Sequence, residues 1–169
     1  RTRGIVLNPM IEYIKSALQL YIRDFSYDTV FHFLRSGMAD ISREEIDELE
    51  NYVIRTGARG YRTYSRLFTR KTEEMQQGSG QEDTERAEET MERLNRIRQQ
   101  FADTVEILHM APRAKAGEYV DHLYDFLEQN QVQQKLLNYQ QRFEQEGDLA
   151  KAREYAQIYR LVMDLLDQI

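Results

Sequence analysis

The chain has 169 residues, 41% apolar and 31% charged, and a net charge of −6. These values fit one domain with an ordinary core and argue against a generic nucleic-acid coat. Cysteine is absent, which excludes a disulfide framework, a cysteine zinc site, a thiolate nucleophile and a cysteine-ligated iron–sulfur cluster within these residues. No apolar run approaches the roughly 20 residues needed to cross a bilayer, and residues 1–7 lack the apolar centre of a signal peptide; the expected location is cytoplasmic, with no membrane partner.

The pattern is helical throughout. Asn8-Pro9 reads as a cap and a first-turn proline. It opens a helix carrying Met10, Ile14, Ala17, Leu18, Tyr21 and Ile22, which ends near Arg23-Asp24. Ser26 caps a short second helix with Val30, Phe31, Phe33 and Leu34, and Gly37 is expected to end it in the left-handed conformation. Ser42-Arg43-Glu44-Glu45 is a capping box. The helix behind it places Ile46, Leu49 and Val53 on one face and closes at Gly57.

Residues 58–83 show no clear period, and Gly78-Ser79-Gly80 has a flexible-linker composition. A natural loop and a splice replacing a longer loop both give that composition. A long helix follows from about Thr84 to His109, with Met91, Leu94, Ile97, Phe101, Val105 and Leu108 in its stripe. Ala111-Pro112-Arg113 breaks it. Further helices are predicted over about 116–129, with Leu123, Phe126 and Leu127, and over about 132–146, with Leu136, Tyr139 and Phe143. Gly147 stops the latter and Asp148 caps the last helix, whose stripe runs Tyr155, Ile158, Tyr159, Val162, Leu165 and Leu166. That stripe is still apolar at Ile169, which points to a piece of a longer chain. The expected fold is all-α, about seven helices in a single helical domain. Two sub-units are conceivable within it, 1–57 with three helices and 84–169 with four, joined by the basic, flexible segment 58–83.

Catalytic constellations are missing from the sequence. His32, His109 and His122 are far apart and read as surface or capping residues. Glu106-Ile107-Leu108-His109 supplies one Glu-x-x-His, but a di-metal bundle needs a second. Neither GxxxxGK[ST] nor GxGxxG occurs. The expectation is no catalytic residue, no cofactor, no metal and no small-molecule substrate.

The charge is unevenly spread: residues 1–72 carry +3 and residues 73–169 carry −9. No Asp or Glu lies between Glu50 and Glu73, while Arg55, Arg59, Arg62, Arg66, Arg70 and Lys71 fall in that stretch, interleaved with Tyr61, Tyr64 and Phe68. Arginines contact phosphates and aromatic rings stack on bases. One reading is a DNA-facing segment formed by these six cations with Tyr61 and Tyr64. The other is a basic loop docked on an acidic partner, or on the acidic second half of this chain.

Three blocks carry a family resemblance. They are Gly4-Ile5-Val6-Leu7-Asn8-Pro9-Met10-Ile11-Glu12-Tyr13-Ile14, then Asp24-Phe25-Ser26-Tyr27-Asp28-Thr29-Val30-Phe31, then Ile46-Asp47-Glu48-Leu49-Glu50-Asn51-Tyr52-Val53 with Gly57 and Arg59-Gly60. In this order the set resembles the B subunit (AddB/RexB) of the AddAB/RexAB ATP-dependent helicase–nuclease. Looser matches continue through Leu94-Asn95, Tyr124-Asp125-Phe126-Leu127 and Gly147-Asp148-Leu149. The resemblance implies the 2B-type helical insertion of a UvrD-like superfamily-1 helicase that has lost its ATPase motifs. The parent complex would then repair double-strand breaks by recombination, with the A subunit and double-stranded or forked DNA as partners. ATP, Mg and an iron–sulfur cluster would belong to that complex, not to these residues. The family varies over 58–83, so its pattern lends the basic segment no support. The competing expectation is a stand-alone helical protein–protein interaction module.

Overall fold

A computed structural model describes residues 8–109 and 116–167, and among these residues the fold is all-α. The helices are α1 (Pro9–Ile22), α2 (Tyr27–Leu34), α3 (Arg43–Thr56), α4 (Tyr61–Ser65), α5 (Glu73–Gln76), α6 (Gln81–Val105), α7 (Ala116–Gln129), α8 (Val132–Gln145) and α9 (Leu149–Asp167). A 3₁₀ turn, Glu106–Leu108, extends α6. The Ala111-Pro112-Arg113 break lies outside the described residues, as do the side chains of Leu165 and Leu166.

The local signals work as their chemistry requires. Asn8 Oδ1 accepts from the Met10 N–H at 2.8 Å, and Ser26 caps α2. Both halves of the Ser42–Glu45 capping box are formed. Gly57 ends α3 at φ +71, a conformation that costs an L residue with a Cβ about 1–2 kcal/mol. Helix α2 departs from expectation at its end: it stops at Leu34, and Gly37 turns left-handed (φ +83) two residues beyond the cap, Arg35.

The larger correction concerns 58–83, which is not a slack linker. It contains α4 and α5 and sends three side chains inward, Tyr64, Phe68 and Thr72. These two short helices raise the count from the expected seven to nine among the described residues. They lack an apolar period because each is barely one turn long. Tyr64 and Phe68 are held by tertiary bonds. Asn95, on α6, accepts from the Phe68 N–H at 2.7 Å and donates to the Phe68 carbonyl at 3.0 Å. Arg98, 4% exposed, donates to the Tyr64 carbonyl at 2.8 Å and to Asn95 Oδ1 at 2.9 Å.

The core is a run of aromatic rings between α1, α2, α6 and α7. Phe33 lies 5.0 Å from Tyr13, 6.2 Å from Phe101 and 6.2 Å from Phe126, centroid to centroid. Such tilted pairs each contribute about 0.5–1.5 kcal/mol beyond the area they bury. Helices α8 and α9 form an antiparallel hairpin, with Tyr155 stacked on Tyr139 and Phe143. Polar ties bind the hairpin to the rest. Asn8 Nδ2 donates to Glu154 at 3.0 Å, and Lys135 Nζ donates to the Met38 carbonyl at 3.1 Å.

Candidate nucleic-acid interface

The cations of the basic segment do not share one surface, but three of them, Arg59, Arg62 and Arg66, line the same cavity. It begins at the end of α1. After Arg23 the chain passes through Asp24 (φ +45) and Phe25 (φ +53), two successive left-handed residues that are not glycine. Strain of this kind, about 1–3 kcal/mol per residue, persists where the surroundings impose it. Here the Phe25 N–H donates to the Leu20 carbonyl at 2.9 Å, and the Phe25 carbonyl accepts from the Gly60 N–H at 3.2 Å. The Phe25 ring, 2% exposed, turns inward under Tyr61.

This corner and α4 form two walls of an open cavity of about 1070 Å³, whose lining includes Arg59, Arg62 and Arg66. All three arginines are exposed. None has a side-chain hydrogen bond or ion pair among the described residues, whereas Arg35 is bound to Asp47 and Glu50, and Arg93 to Glu48. The third wall is His109, just past the 3₁₀ turn. Its ring lies flat on Tyr61, with centroids 3.8 Å apart and planes 10° from parallel. The groove is not purely cationic. Asp24 lines it, and burial, then the charges of Glu106 and Asp103, raise the pKa of Tyr61.

The other predicted contacts lie elsewhere. Arg55 donates to Asn51 Oδ1 at 3.3 Å and faces a cavity of about 610 Å³ between α3, α5 and α6. Arg70 donates to the Thr56 carbonyl at 3.0 Å, serving the C-terminus of α3, while its own carbonyl accepts from the Tyr52 hydroxyl. Lys71 borders a shallow depression of about 520 Å³ beside Glu88 and Glu92. Tyr64 is a correction. It is 1% exposed, so its ring packs in the core against Phe101 and cannot serve as a stacking face. Phe68 is likewise buried. His109, read from sequence as a surface or capping residue, is exposed, but its stack on Tyr61 has no counterpart in the sequence reading. The stack joins positions 48 apart in sequence, and no local pattern marks it.

Among the described residues, no three His, Asp or Glu side chains converge as metal ligands would. The chain has no cysteine and so offers no thiolate ligand.

An all-helical unit with an arginine-lined groove is the class these features define. No family model matches the chain. Curated relatives do. It is 36% identical over 100% of its length to the B subunit of the ATP-dependent helicase/deoxyribonuclease of Clostridium botulinum strain Langeland. The identity to the corresponding protein of Alkaliphilus metalliredigens is 32%, over 99% of the chain, and to that of Acetivibrio thermocellus 36%, over 99%. The chain spans about 15% of the length of these relatives. It is thus homologous over its whole length to one segment of the B subunits of ATP-dependent helicase/deoxyribonucleases.

Proposed function

We propose that this chain is an accessory, non-catalytic helical unit of the B subunit of a bacterial ATP-dependent helicase/deoxyribonuclease, and that it positions DNA through the Arg59, Arg62 and Arg66 groove. The observation that carries the DNA role is the gathering of these three exposed arginines on one cavity without anionic partners. The parent role rests on the relatives, which are named as subunits of a helicase and deoxyribonuclease. In the full assembly the A subunit and a double-stranded or forked DNA end are the bodies such a unit would meet, and double-strand break repair is the process it would serve. We place the unit as the 2B-type insertion of the second motor lobe. ATP, Mg and the iron–sulfur cluster belong to other parts of that assembly in this reading.

The test is a titration of the 169-residue chain with forked DNA across a salt series. Three phosphate contacts predict a log–log slope of about −2 to −3. Reversing Arg59, Arg62 and Arg66 to Glu should flatten that slope and remove binding at low salt. Equal binding by wild type and the reversed variant would rule the groove out as a DNA site.

A further inference from the structure

The Tyr61–His109 stack carries the reading further. Tyr61 is half-buried, with His109 on one face and Phe25 set edge-on beside it at 5.2 Å and 69°. One of its faces is therefore taken by His109. His109 remains exposed although one side of its ring is covered by Tyr61. The imidazole is held flat there by a rigid ring beneath it, on the rim of the cavity that also presents Arg59, Arg62 and Arg66.

We infer that His109 is a stacking platform for an unpaired nucleobase of single-stranded DNA, with the three arginines contacting the adjoining phosphates. A flat ring beside a cationic groove is the arrangement that single-strand binding uses, since every base offers a π-face and every linkage a charge. Bases inside a duplex are already stacked on both faces, so the platform selects an unpaired nucleotide. This rests on the DNA reading above and names the form of DNA that the groove takes.

The experiment compares three probes of equal length by fluorescence anisotropy: oligothymidylate, a strand of abasic sites, and a duplex. The wild-type chain should bind oligothymidylate roughly tenfold more tightly than the abasic strand, the size expected for one stacked base. His109→Ala should lower oligothymidylate affinity to the abasic level and leave the abasic affinity unchanged. His109→Phe, which keeps a flat ring and folds by the same stack, should keep the preference. If wild type binds the oligothymidylate and abasic strands equally, the platform is refuted while the arginine groove stands. A preference that survives His109→Ala also refutes it. If no probe binds at low salt, the platform and the DNA reading fall together.

Discussion

Asn95 is the sharpest structural test, because one amide holds the segment that carries the groove. Its Oδ1 accepts from the Phe68 N–H at 2.7 Å and from Arg98 Nε at 2.9 Å. Its Nδ2 donates to the carbonyls of Phe68 at 3.0 Å and Met91 at 3.1 Å. Phe68 is only 6% exposed, so Asn95→Ala leaves its N–H and carbonyl with little access to water and strips one partner from the buried Arg98. A buried polar group left unpaired costs about 1–3 kcal/mol; with partial rehydration the variant should lose about 2–4 kcal/mol. For a chain of this size that lowers Tm by roughly 5–15 °C. Urea unfolding followed by far-UV circular dichroism measures it directly, the chain having no tryptophan to report. Gln140→Ala, which removes only an exposed pair with Glu144, is the control and should stay within about 0.5 kcal/mol. If Asn95→Ala matches that control, 64–72 is not held by this clamp.

Three further outcomes follow from single sites. The Tyr64 hydroxyl is buried without a hydrogen-bond partner, so Tyr64→Phe should be as stable as wild type or up to about 2 kcal/mol more stable in urea. Burial raises the Tyr64 pKa, so above about pH 10 the unfolded chain loses its proton first. Wild-type stability is therefore unaffected by this group below that pH and falls as pH rises past it, and urea midpoints should fall less in Tyr64→Phe. Asp24→Asn keeps a side chain that tolerates positive φ and removes an anion from the groove. It should raise oligonucleotide affinity about two- to fivefold at low salt and not at high salt; an unchanged affinity at low salt would place Asp24 away from the ligand. Gly57→Ala, at φ +71, should cost about 1–2 kcal/mol, measured by the same urea unfolding.

The long helices were legible because their signals are local. Asn8, Ser26 and Ser42 each cap the helix that follows. The stripe Met91, Leu94, Ile97, Phe101, Val105 and Leu108 is buried throughout. Segment 58–83 was not legible, because α4 and α5 are too short to show a period and Tyr64 and Phe68 owe their place to Asn95 and Arg98 on a distant helix. The same limit applies to the groove. The acid-free run marked the right stretch of chain, but tertiary contacts divide it. They send Arg70 to the end of α3, bury Tyr64, and set His109 against Tyr61.

Photocrosslinking shows whether DNA lies on the Arg59, Arg62 and Arg66 groove. A forked DNA with bromodeoxyuridine in its single-stranded arm is irradiated with the chain, and the adducts are mapped by mass spectrometry. Adducts are expected on peptides containing Tyr61 or His109, and should be lost when the three arginines are reversed to Glu. Adducts confined to the α8–α9 hairpin, or unchanged by the reversal, would contradict that placement.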